Sequence, residues 1–140
     1  MRLRTLLGHI DEAESAGDLS GASLVFAVIR NESAALDSPE AWDAVSIVGL
    51  KVDSQDGSVD LLADDSEAAR DISVASLRAR ASKLSADVRE QDVFVGMVGQ
   101  AEAASGAREN MPVVEAFGDE NGLGLMVWFE GYEDWLQSQS

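Results

Sequence analysis

Two glutamates stand within apolar runs, Glu115 in Met111 to Phe117 and Glu130 closing Leu123 to Phe129. Carboxyls so placed are the chain's best candidates for acid–base chemistry. Withdrawn from water, a carboxyl keeps its proton to higher pH and can act as a general acid, while an ionised neighbour acts as base or nucleophile. Strand alternation offers them the solvent face of a hairpin instead, and that is the placement expected. With 26 Asp and Glu in the chain, pairs at the roughly 5–10 Å used in glycoside hydrolysis arise by chance. No catalytic residue is therefore assigned.

Other chemistry is limited by count. His9 is the only histidine and there is no cysteine, which removes multi-histidine zinc sites, thiolate nucleophiles, iron–sulfur ligation and disulfides. No Gly-x-Ser-x-Gly elbow presents a serine to His9, which sits between Leu6 and Ile10 with a packing or surface role. No phosphate-binding glycine loop is present. Asp53, Asp56, Gly57 and Asp60, and again Asp119, Asn121 and Gly122, suggest calcium turns. An EF-hand loop has its glycine sixth, however, which would put Val52 or Phe117 at the first ligand position. Ordinary hairpin turns are expected, with no metal and no cofactor.

Recognition chemistry is better represented. Aromatic residues gather late, as Phe117, Trp128, Phe129, Tyr132 and Trp135, among acids. Aromatics concentrate binding energy while carboxylates steer a basic surface into place, so the candidate partner-binding set is Trp128, Glu130, Tyr132, Glu133, Asp134 and Trp135. Trp128 and Phe129 should face opposite ways, and Trp135 is expected to cover the face that carries the exposed tryptophan.

The elements that must position these residues follow from periodicity. Leu3, Leu6, Leu7, Ile10 and Ala13 mark a helix over residues 2–15, ended by Gly17 and Asp18. Leu24 to Ile29 reads as a buried strand, and Ser38-Pro39-Glu40 as a short helical turn through Trp42. Val45 to Val52 and Val59 to Ala63 flank Asp56-Gly57 as a hairpin. After an acidic connector, Val74, Leu77, Ala81, Leu84 and Val88 predict a helix over 73–88. Val93 to Val98 is a strand and Ala101 to Asn110 a loop or short helical segment. Met111 to Phe117 and Leu123 to Phe129 form a second hairpin about Asn121-Gly122, and Gly131 to Ser140 packs as a terminal turn. The fold class is α+β in one domain, residues 1–140. Its order suggests two αβββ units, each a helix, a strand, a connection and a hairpin. They would form a pseudo-repeat of 1–65 and 72–131, packed together with mainly antiparallel sheet.

Net charge is −16 and unevenly spread. Residues 70–89 hold five bases, Arg70, Arg78, Arg80, Lys83 and Arg89, against two acids, and the flanking segments are strongly acidic. An acidic surface repels phosphate and anionic lipid, so neither direct nucleic-acid binding nor a membrane role is expected. The basic strip is expected to relieve repulsion within the fold. No apolar run is long enough for a signal peptide or a membrane span, and the cytoplasm is the expected location.

Three resemblances accompany this reading. Size, acidity and mixed order resemble class I type III secretion chaperones, without the long final helix expected of them. Phe117 to Glu130 resembles the closing hairpin of glyoxalase and bleomycin-resistance modules, in which a terminal glutamate can bind metal. Small size and acidity resemble phage-encoded inhibitors that mimic DNA. The function expected is a non-enzymatic acidic protein that engages a basic surface on a protein partner, in the manner of an inhibitor or DNA mimic. The alternatives are a secretion-type chaperone, or a small-ligand or metal-binding module or enzyme that uses carboxylates.

Overall fold

In a computed structural model that describes residues 1–31, 34–36, 38–52, 58–64, 70–97 and 111–138, the N-terminal leucine stripe forms helix α1, Leu3–Ser15. Leu3, Leu6 and Ile10 are its buried face. Gly17 follows at φ 83°, a left-handed conformation that glycine adopts without a Cβ penalty. Strand β1, Val25–Arg30, buries every second residue. The Ser38-Pro39-Glu40 signal produces one 3-10 turn, Pro39–Ala41, in which Ser38 Oγ accepts from the Glu40 N–H at 3.1 Å. Strand β2, Trp42–Val52, begins at once. It starts ahead of Val45 because residues 42–44 pair with β1 even though Asp43 and Ala44 face solvent.

Strand β3 is Val59–Asp64, and the turn before it, with Asp53, Asp56 and Gly57, lies outside the described residues. The helix expected over 73–88 is two helices, α2 at Val74–Ser82 and α3 at Ala86–Arg89. The break has a local cause: Ser85 Oγ accepts from the Val88 N–H at 3.3 Å and caps a fresh turn. Strands β4, Val93–Met97, β5, Met111–Asp119, and β6, Gly122–Val127, follow. Ala101 to Asn110 lies outside the described residues. The turn joining β5 to β6 is centred on Glu120-Asn121 rather than Asn121-Gly122, with Asp119 Oδ1 accepting from the Asn121 N–H at 2.7 Å. Gly122 takes a φ of 125°, and a Cβ there would overlap the Leu24 carbonyl oxygen. The terminal turn is a short helix, α4, Tyr132–Ser138.

The α+β class holds, but the sheet is not the expected packing of two αβββ units. The six strands close into one barrel in chain order, β1-β2-β3-β4-β5-β6. Antiparallel pairs lie within each half, and the parallel pairs β3–β4 and β6–β1 join the halves. Closure removes the exposed edges that two open sheets would leave.

Pairing follows one scheme in both halves. Val59 pairs with Val93 across one parallel seam, and Leu123 with Val25 across the other. The register shifts between Ile47 and Gly49 in β2, and between Val113 and Glu115 in β5. Leu3 N–H donates to Gln91 O and Val93 N–H to Met1 O, at 3.0 and 2.8 Å. Val74 N–H to Ser23 O and Val25 N–H to Ile72 O match them at 2.7 and 3.0 Å. Helix α1 consequently packs on β5 and α2 on β2. Leu3, Leu6 and Ile10 stand where Val74, Leu77 and Ala81 do, and all six join the inward-facing strand residues in one core.

Candidate functional site

The predicted partner-binding residues lie just past β6. Trp128 is 43% exposed, and its Nε1 donates to Glu133 Oε1 at 3.3 Å. Phe129 is buried, so the two neighbours do face opposite ways. Glu130, Glu133 and Asp134 are exposed, whereas Tyr132 is buried and Trp135 half-buried. The set therefore divides into an outward acidic group around Trp128 and an inward aromatic pair.

That inward pair anchors α4. Met126, Phe129 and Tyr132 form a second apolar cluster, against which Val28, Trp42, Val114 and Trp135 pack. The Trp42 ring stands edge-on to Phe129 and Trp135, with centroids at 5.3 and 5.4 Å, and Phe129 stands edge-on to Tyr132 at 5.6 Å. Such pairs each contribute about 0.5–1.5 kcal/mol beyond burial. Trp42 was not legible as part of this site. Its only sequence signal is the preceding proline turn, and closure of the barrel is what brings β2 within reach of α4. Arg30 lies over the Trp42 ring at 6.0 Å and donates to the Asn31, Ala34 and Ala41 carbonyls, which braces the chain entering β2.

Glu115 is half-buried in β5. Burial, with added repulsion from Glu115 and then Glu133, raises the Tyr132 hydroxyl above its ordinary value of 10.0. Glu130 lies beyond β6 and is exposed. The two glutamates picked out by sequence thus occupy different environments.

The basic strip does internal work at Arg78, whose Nη2 lies 2.7 Å from Asp11 Oδ1 and whose Nη1 lies 2.6 Å from Glu14 Oε1, tying α2 to α1. Arg2 and Arg4 meet Glu90 at 3.3 and 2.9 Å.

A second feature lies at the turn end of the β5–β6 hairpin, away from α4. There the last turns of α1 border an open cleft of about 300 Å³. Its polar margin is Glu12, Asp18 and His9, with His9 Nδ1 4.0 Å from Glu12 Oε2. Its apolar wall includes Ala13, Ala116, Leu123 and Phe117, the last 38% exposed. Phe117 lies over Gly124, where a Cβ would overlap its ring, and stands edge-on to Phe26 at 6.1 Å.

Among the described residues no helix is long and apolar enough to cross a membrane. Compared with known proteins, the chain matches no family model, no curated protein and no solved structure.

Proposed function

We propose that the chain is a non-enzymatic acidic interaction protein of the cytoplasm, and that the surface around α4 engages a basic surface on a protein partner. The observation that carries this reading is the exposed Trp128, in the link from β6 to α4 with Glu130, tethered to Glu133 on a helix that also carries Asp134 and is held by an aromatic cluster. A tryptophan held in place loses little freedom on binding, and the acids around it steer a cationic partner and keep other acidic surfaces away. In its sharper form the partner is a nucleic-acid-binding protein, and the carboxylates occupy Lys and Arg sites that otherwise hold phosphates, as in an inhibitor that mimics DNA. We also read residues 1–65 and 72–131 as a tandem repeat. The matched registers and bulges support that relation, and α4 is then an addition to the second copy.

The experiment is affinity capture from lysate at low ionic strength, followed by purification of the captured protein and direct titration. A basic protein should bind, lose about tenfold or more in affinity between 50 and 200 mM salt, and lose a similar factor with Trp128→Ala. Competition by duplex DNA should follow for the sharper form. Capture of no basic partner, or a partner indifferent to both salt and Trp128→Ala, overturns the reading.

A further inference from the structure

The cleft beside α1 has an internal control in the other half of the barrel. Leu3 matches Val74 through their seam hydrogen bonds, and Val113 matches Ile47 through their shared bulge. Counting along each element from these anchors places His9 at Arg80, while Glu12 and Ala13 count to Lys83 and Leu84, the two residues just past the end of α2. On the strands, Ala116 falls at Leu50, Phe117 at Lys51 and Gly118 at Val52. Leu50 and Leu84 pack against the core. Ala13 and Ala116 pack against the same core with shorter side chains, and both line the cleft. Arg80 lies across β2, with Nη1 3.4 Å from where a Gly49 Cβ would stand. One backbone scheme thus carries bulk and positive charge at the α2–β2 corner, and space and negative charge at the α1–β5 corner.

We propose that the α1–β5 cleft binds a small organic ammonium ion with an apolar body. Its volume is at the lower bound for small-molecule sites, which combine apolar walls with a few placed polar groups. The Phe117 ring and the alanine wall suit the body, while Glu12 and Asp18 suit the cationic head, with the aromatic face adding cation–π attraction. A neutral ligand of the same shape would lack that attraction, and an anionic one would be repelled by the same carboxylates.

The test is titration of the full chain with phenethylammonium, against 2-phenylethanol as the neutral analogue, by calorimetry and amide chemical shifts. The ammonium should bind about tenfold or more tightly than the alcohol, and shifts should centre on α1 and the β5–β6 turn. Two substitutions copy the other corner: Ala116→Leu fills the cleft and Glu12→Lys reverses its margin. Each should weaken binding by about tenfold or more. Glu12 is highly exposed, so that variant keeps the test open should Ala116→Leu fail to fold. Glu40→Lys makes the same charge change at an exposed site elsewhere and should leave binding unchanged. Equal binding of ammonium and alcohol, full binding by Glu12→Lys, or equal weakening by Glu40→Lys would each overturn the proposal, the last by assigning the affinity to net charge alone. Trp128→Ala should not affect this titration, so its outcome is separable from that of the partner-binding surface.

Discussion

The α1–β5 and α2–β2 corners share strand register, bulge position and seam hydrogen bonds, yet differ in nearly every side chain that is not inward. Buried positions keep their character, with Leu3, Leu6 and Ile10 facing the core as Val74, Leu77 and Ala81 do. Outward positions diverge in charge, with Arg78, Arg80 and Lys51 at one corner where Leu7, His9 and Phe117 stand at the other. Core packing constrains shape and hydrophobicity closely, whereas solvent tolerates either sign of charge at little cost. Divergence in function is therefore expected on the outward positions of these corners, and that is where the cleft lies.

The largest test of this comparison concerns the shared core. Leu6→Ala and Leu77→Ala remove matching, fully buried side chains, and each should cost about 3 kcal/mol in denaturant unfolding. A cost under about 1 kcal/mol at either position would mean that the two helices do not carry equivalent packing roles. Arg78 tests the divergence at smaller scale. Its counterpart by the same count is Leu7, and Arg78→Ala should cost about 1 kcal/mol after allowance for its partial exposure. That cost should shrink in molar salt, while the leucine costs should persist.

The smallest effect sharpens a contrast between strands. Glu115 stands where β2 has Gly49, and it adds to the burial that raises Tyr132. Tyr132 is the only tyrosine, so its ionisation can be followed by ultraviolet absorbance without ambiguity. The unfolded phenol ionises near 10 while the folded one retains its proton, so unfolding above that pH releases a proton. Stability from this group is then full below pH 10 and falls as pH rises through the folded value. Tyr132→Phe should abolish that alkaline loss. Glu115→Gln should move the transition only part of the way back toward 10, because burial is the larger cause.

The legible part of the fold was the part with local causes. The α1 stripe carries the period of a helix, and the short apolar runs of β1, β3 and β6, bounded by turn residues, identify strands. Ser85 was the exception. Apolar spacing continues through Leu84 to Val88, so the pattern suggested one helix, while a single capping hydroxyl starts another. The candidate surface was half legible: Trp128 and its acids follow from composition, but Trp42 reaches Phe129 and Trp135 only once the barrel closes. The cleft was less visible still. Alanine at position 116 gives no signal alone and becomes informative only beside Leu50.

By itself, then, the sequence determined element types, the chemistry excluded by a single histidine and no cysteine, and the acidic surface with its basic interruption. These depend on residue identity and near neighbours. Tertiary structure decided the closed barrel, the division of the predicted surface into exposed acids and buried aromatics, and the existence of the cleft. Each depends on strand pairing between residues far apart in the chain, which short-range periodicity does not encode.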